Sequence, residues 1–149
     1  ERREFLLEYT EGEYEDCSLV GFCVLGGVFS EGIDLKNDSL IGAIIVGTGL
    51  PKKCDENDLI KDYFDEHGEA GSGYNYAYVY PGFNKVLQAA GRVIRTHEDV
   101  GIVALLDYRF AYRDNQALYP REWDGIVSVS SNTASESIRA FWENNLDRK

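Results

Sequence analysis

Methionine is absent from this 149-residue chain, and no long apolar run occurs in it. The missing initiator methionine, together with the charged start ERREFLLEY, leads us to expect a piece of a longer protein without a secretory signal at position 1. No apolar run approaches the roughly 18 residues that a membrane-spanning helix needs. The sequence therefore predicts no membrane partner.

Cysteine is scarce, with only Cys17, Cys23 and Cys54. They form no C-x-x-C pair, and an odd number of thiols favours the reduced, cytoplasmic state over a disulfide framework. Three thiols also cannot supply the usual four ligands of an iron–sulfur cluster, so neither a cluster nor another metal site is predicted in this chain. We expect Cys17 and Cys23 to be small buried hydrophobic residues and Cys54 to be a surface thiol.

Basic residues are outnumbered, with 15 Lys and Arg against 26 Asp and Glu, for a net charge of −11. At first sight this charge argues against a nucleic acid partner. The excess is confined to residues 8–16, which carry acids and no base, and to residues 55–69, where Lys61 is the only Lys or Arg. We interpret both segments as solvated faces turned away from any polyanion.

Short apolar runs divide the chain and predict strands buried on both faces of a parallel sheet. They cover residues 19–28, 40–47, 100–107 and, more weakly, 125–130. Apolar residues at helical spacing predict helices over about 57–67 and 82–96, and the capping box Thr133-Ala-Ser-Glu136 predicts the start of a last helix. Residues 68–82 are expected to be irregular. The alternation indicates an α/β fold, whose sites lie at the carboxyl ends of the strands.

A glycine segment, residues 26–35 (GGVFSEGIDL), follows the first apolar run. A glycine-rich loop leaving a strand exposes backbone amides that can hold a phosphate. Ser30 can donate to an oxyanion, while Glu31 and Asp34 can accept from hydroxyls or pair with arginine. The alternative is an ordinary turn in which glycine supplies a positive φ.

An arginine segment, residues 88–96 (QAAGRVIRT), ends the longer predicted helix. Arg92 and Arg95 are three residues apart and would share a helical face, with Gln88 one turn earlier. Gly91 in mid-helix usually indicates close packing, and guanidinium groups match phosphate oxygens bidentately. The alternative is a helix with two solvated arginines and a glycine that fills a gap.

The two segments together, in the order strand, glycine segment, strand, helix, arginine segment and strand, resemble motifs V and VI of superfamily 2 helicases. The sequences FSEGIDL and QAAGRVIR are similar to these motifs in the DinG/XPD branch. The resemblance covers about residues 19–124. Further matches are LLDYRF at 105–110, Tyr119-Pro120 and Trp123.

The resemblance implies a RecA-like second motor domain over residues 1–149, a three-layer sandwich with a mainly parallel sheet that lacks its first strand. In that family ATP, with Mg²⁺, lies between two such domains of the same chain and is held mainly by the first. Arg95 would act as the arginine finger, with Arg92 as its partner and Gln88 ordering the network. Glu31 and Asp34 would face the nucleotide cleft.

The resemblance also implies a path for single-stranded DNA. Ser30 and the amides around Gly32 would meet a phosphate of the translocated strand, and Arg109 would reach the DNA or the cleft. For Asp107 we expect a hydrogen-bonding or arginine-pairing role rather than metal binding. The alternating tyrosines could stack on bases or pack against protein; they are Tyr74, Tyr76, Tyr78 and Tyr80.

The function that the resemblance implies is an ATP-dependent DNA helicase. The alternatives are an RNA-directed translocase and a catalytically silent RecA-like binding module. No G-x-x-x-x-G-K-[ST] segment is present, so the chain alone is not expected to hydrolyse ATP. The edge left by a missing strand predicts that the isolated chain dimerises or aggregates.

Overall fold

The computed structural model describes residues 19–27 and 40–145. Several predictions lie outside these ranges. They concern Cys17 and four residues of the glycine segment, namely Ser30, Glu31, Gly32 and Asp34.

Two strands pair in parallel, β1 (Gly42–Val46) and β2 (Ile102–Leu106). The register runs from Gly42 opposite Ile102 to Val46 opposite Leu106. Both strands lie where the apolar runs 40–47 and 100–107 predicted them. The α/β class with a parallel sheet is therefore confirmed.

The sheet is covered on one face. Ile45 is buried, and Val103 and Leu105 pack beside it in the same cluster. Ile44 and Val46 point the other way and remain 71% and 75% exposed. The prediction that both faces are buried is thus wrong for β1, whose side chains alternate between core and solvent, whereas residues 102–105 of β2 are all half-buried.

Between and after the strands the described chain is helical. The helices are α1 (Asp55–His67), α2 (Tyr80–Ala90), α3 (Arg113–Gln116) and α4 (Ala134–Asn145), with a π-helical turn at Asn75–Val79 and a 3₁₀ turn at Tyr108–Ala111. Helices α1 and α4 begin within two residues of the predicted positions.

Two strand predictions, over 19–28 and the weaker one over 125–130, are wrong for the residues described. Residues 19–27 contain no strand, and their apolar side chains, such as Val20 and Phe22, are exposed. Cys23 is likewise exposed rather than buried, whereas Cys54 is at the surface as predicted. Residues 126–130 are irregular and exposed. An apolar run becomes a strand only by pairing, and among the described residues β1 and β2 alone are paired.

The prediction of an irregular segment over 68–82 is wrong for residues 73–82, which are helical, whereas residues 68–72 are irregular as predicted. Tyr76 stacks on Phe64 of α1 with ring centroids 4.0 Å apart, and the buried Tyr78 hydroxyl donates to Asp58 Oδ1 at 3.0 Å. These contacts fix the π-helical turn against α1. They favour packing within the domain over base stacking for these two tyrosines.

The core lies between α2 and the covered face of the sheet. Phe83, Val86 and Ala90 of α2 pack with Ile45 and Phe110. The loop that leaves β1 touches the start of the same helix, because a Cβ on Gly82 would lie 2.7 Å from the Thr48 carbonyl oxygen. In residues 19–27 and 40–145, no helix is both long and apolar enough to cross a membrane.

Candidate functional site

Helix α2 carries the arginine segment but ends earlier than predicted. The Gly91 amide makes the last helical bond, to the Leu87 oxygen at 2.9 Å. The next two amides instead reach back three residues, from Arg92 to Ala89 (3.2 Å) and from Val93 to Ala90 (3.0 Å). Glycine weakens the helix at this point by about 1 kcal/mol, and the tighter turn directs Val93 into the core.

Arg92 and Arg95 therefore do not share a helical face, contrary to the prediction. Gln88 is exposed in the last turn of α2, Arg92 is half-buried in the turn after it, and Arg95 is exposed in the loop beyond. Val93, only 4% exposed, lies between the two arginines. A buried anchor thus holds the backbone from which both guanidinium groups extend.

Asp99 shapes the loop that contains Arg95. Its Oδ2 accepts the backbone amides of Arg95 at 2.8 Å and Thr96 at 2.7 Å. The Thr96 hydroxyl accepts the Glu98 amide at 3.3 Å. The amide bonds from Thr96 and Arg95 lower the pKa of Asp99. The sequence analysis did not identify Asp99. The pattern that could have indicated it is a loop carboxylate four residues after Arg95 and three after Thr96, a spacing at which Asp side chains accept backbone amides.

The start of the glycine segment lies against α2. Gly26 has φ +77°, and Gly27 donates its amide to the Val24 oxygen at 2.9 Å. A Cβ on Gly26 would meet Cδ of Lys85 at 2.9 Å, one turn before Gln88. The start of the glycine segment therefore lies beside α2 at Lys85, three residues before the arginine segment begins, and Gly26 has the positive φ of a glycine turn.

Asp107 and Arg109 form a fork directly after β2. Asp107 Oδ1 accepts the Arg109 amide and Nε, each at 2.9 Å, and Oδ2 accepts a terminal guanidinium nitrogen at 2.7 Å. This confirms the arginine-pairing role expected for Asp107. The Arg109 guanidinium lowers the pKa of Asp107 to about 2. The Asn115 side chain donates to the Arg109 carbonyl at 2.8 Å and fixes its backbone.

The fork shares an edge of the sheet with the loop after β1, because β1 and β2 are parallel and in register. That loop contains Gly47 and Gly49, both with positive φ, on either side of Thr48. Thr48 is 3% exposed, and its hydroxyl has no hydrogen-bonding partner among the residues described. Ligands bind at this edge in open α/β sheets. No group of three His, Cys, Asp or Glu arranged to hold a metal occurs in the described part of the chain.

Comparison with known proteins identifies the protein family of this chain. A model of the family described as "Helicase C-terminal domain" matches residues 1–125. The chain therefore belongs to this family, and it is the C-terminal helicase domain of a superfamily 2 helicase of the DinG/XPD type. The resemblance inferred from residues 26–35 and 88–96 is confirmed.

Curated relatives share the name Regulator of telomere elongation helicase 1. The Homo sapiens protein is 36% identical over 104 residues, which cover 65% of this chain and 8% of that protein. The Bos taurus protein is 34% identical over 113 residues, with 71% and 9% covered. The homolog from Caenorhabditis briggsae is 32% identical over 147 residues, with 92% and 15% covered. The chain thus spans less than a sixth of the length of these relatives.

Proposed function

We propose that this chain is part of the second motor domain of an ATP-dependent DNA helicase, which couples ATP hydrolysis to movement along single-stranded DNA and to duplex unwinding. The observation that carries the proposal is the fixed geometry of the arginine segment. Arg92 and Arg95 extend from a turn anchored by the buried Val93 and by Asp99. The same helix touches Gly26, where the glycine segment begins.

In this proposal ATP and its Mg²⁺ are held mainly by the first motor domain of the same protein. Arg95 reaches across the cleft as an arginine finger, and Arg92 and Gln88 support it. Glu31 and Asp34 link the cleft to the glycine segment. Charge that spreads over the transferred phosphoryl group is what a guanidinium stabilises, and such a finger raises the rate by about 10³–10⁵.

The DNA contacts that we propose are Ser30, the amides around Gly32, and Arg109. The Asp107 fork gives Arg109 a fixed orientation while its side chain stays 36% exposed. Exposed carboxylates cover α1 and would repel the phosphate backbone from that side. DNA is therefore expected along the loops at the carboxyl edge of the sheet rather than over α1.

The test is ATP hydrolysis by the full-length protein that carries this chain, with and without single-stranded DNA. We compare the wild type with Arg95→Ala and with Arg113→Ala, which removes an exposed arginine from α3. DNA is expected to stimulate the wild type and Arg113→Ala. Arg95→Ala is expected to lose at least 10³-fold in kcat while its DNA affinity is retained.

A catalytically silent binding module is the second candidate. The exposed apolar face at Ile44 and Val46 and the net charge of −11 favour it. Normal hydrolysis by Arg95→Ala, or no DNA-dependent hydrolysis by the wild type, would support this candidate and overturn the motor. Stimulation by single-stranded RNA but not DNA would assign the motor to RNA.

A further inference from the structure

We infer that Asp99 is a positioning residue for Arg95, so that the helicase depends on a side-chain oxygen that itself never touches ATP. The inference rests on the proposed function, because it concerns the same arginine finger. It begins from the loop between α2 and β2, residues 91–101, which we call the arginine loop.

The Arg95 backbone lies beyond the end of α2, so the helical hydrogen bonds that hold Gln88 do not extend to it. One oxygen of Asp99 accepts both the Arg95 and the Thr96 amides, at 2.8 and 2.7 Å. This bond pair sets the direction in which the Arg95 side chain leaves the backbone.

The base of the arginine loop is tied to the sheet. A Cβ on Gly101 would collide with the Val93 side chain and would lie 3.0 Å from the Ile41 oxygen. The Ile102 amide donates to that same Ile41 oxygen at 3.0 Å. The loop is therefore fixed at both ends, and Asp99 connects its exposed middle to the end that enters β2.

Loss of the Asp99 carboxylate should leave the Arg95 guanidinium present but poorly placed. A displacement of about 1 Å at a catalytic group can lower the rate about 10²-fold. For Asp99→Ala in the full-length protein we expect kcat of DNA-stimulated ATP hydrolysis to fall by roughly ten- to a hundredfold. The KM for ATP and the affinity for single-stranded DNA should change by less than about threefold, because Arg95 acts on the transition state.

A conservative variant separates geometry from charge. Since a single oxygen accepts both amides, the one amide oxygen of Asp99→Asn can take its place, as asparagine does at helix N-caps. We expect Asp99→Asn to retain kcat within about threefold of the wild type. Asp99→Glu keeps the charge but moves the oxygen by one methylene, and it should resemble Asp99→Ala. Glu98→Ala removes the neighbouring exposed carboxylate and should hydrolyse ATP normally.

The double variant Arg95→Ala/Asp99→Ala distinguishes positioning from general destabilisation. If Asp99 acts through Arg95, the double variant is no slower than Arg95→Ala alone; independent effects would multiply. If Asp99→Ala unfolds and so loses DNA binding, the kcat of Asp99→Asn is compared with the kcat of Asp99→Glu instead.

The inference is overturned if Asp99→Ala keeps the wild-type kcat, if the two losses multiply, or if Asp99→Asn is as slow as Asp99→Glu. Hydrolysis that is lost in Arg95→Ala but normal in Asp99→Ala would overturn this inference and leave the proposed function intact. A wild type without DNA-stimulated hydrolysis would overturn both.

Discussion

Two carboxylates flank β2, and different partners keep each of them ionised. Asp99, before the strand, accepts backbone amides, whereas Asp107, after it, accepts a guanidinium. The first arrangement fixes the direction of a loop and the second fixes a side chain. We expect an amide oxygen to replace the carboxylate oxygen at Asp99, whereas Asp107 pairs with a cation and should need its charge.

Asp107→Asn should destabilise the chain in a pH-dependent way. The folded pKa of about 2 lies below the ordinary value of 3.8, so the stabilisation is fully present above about pH 5 and is lost as the pH falls through 2. Discounted for the exposure of Arg109, we expect a loss of about 1–2 kcal/mol at pH 7. Urea denaturation at pH 7 and pH 3 measures it, with Asp114→Asn on the exposed surface of α3 as the control. A difference in the free energy of unfolding between wild type and Asp107→Asn that is larger at pH 3 than at pH 7 would contradict the stabilising role of the Asp107–Arg109 pair.

Thr48→Val should stabilise the chain. The Thr48 hydroxyl is buried with no partner among the described residues, and a buried unsatisfied polar atom costs about 1–3 kcal/mol. Valine keeps the shape and removes the cost, so the midpoint of urea denaturation should rise. Thr96→Val is the control, because the Thr96 hydroxyl accepts the Glu98 amide and its loss should not stabilise. A lower midpoint for Thr48→Val would mean that its hydroxyl is satisfied.

The interaction of a single side chain could be predicted from the sequence where its partner lies within a few residues. A hydrogen-bonding or arginine-pairing role was expected for Asp107, and the structure identifies the partner as Arg109, two residues later. The hydrogen bonds of Asp99 were missed because they depend on where α2 ends, and the helix ends at Gly91, earlier than the sequence predicted. Four residues of the glycine segment remain predictions, since they lie outside the described ranges.

At the scale of elements, the contact between α2 and the loop after β1 should tolerate no added atom. A Cβ on Gly82 would lie 2.7 Å from the Thr48 oxygen and 3.0 Å from the Leu50 nitrogen, both of them backbone. Alanine ordinarily favours a helix over glycine by about 1 kcal/mol. Here overpacking, at about 1–3 kcal/mol, should exceed that gain, and Gly82→Ala should unfold at a lower temperature. Asn84→Ala, at an exposed position two residues later, should be neutral or stabilising; equal melting temperatures would contradict the close approach.

Helices and strands could be predicted where the apolar pattern of the sequence agrees with the contacts that the element makes in the fold. Helix α1 follows from apolar residues at helical spacing, and strands β1 and β2 follow from short apolar runs. The strand predicted over 19–28 is wrong for residues 19–27, because an apolar run alone cannot supply a neighbouring strand. The π-helical turn at Asn75–Val79 was missed because it depends on rings stacking across from α1, which no local pattern records.

At the scale of the whole molecule, the uncovered face of the sheet should make the isolated chain associate. Ile44, Val46 and Leu106 are exposed on one side of paired strands, which is a surface that proteins usually cover. Light scattering should show association that increases with concentration. Ile44→Thr/Val46→Thr should reduce it, while Leu59→Thr, on the exposed surface of α1, should change it less. A chain that stays monomeric at high concentration would contradict this expectation and the edge argument drawn from the sequence.

The pairing of β1 with β2 also dictates an order of events during synthesis. Gly42 meets Ile102, and all of α1 and α2 lies between them, so β1 leaves the ribosome long before its partner exists. At about 5–20 residues per second the delay is roughly 3–12 s, far longer than a helix needs to form. During that interval Ile44, Ile45 and Val46 belong to an unpaired apolar segment, the kind of segment to which chaperones bind and from which aggregation starts. The acidic residues of α1, synthesised next, would keep such nascent chains apart until β2 arrives.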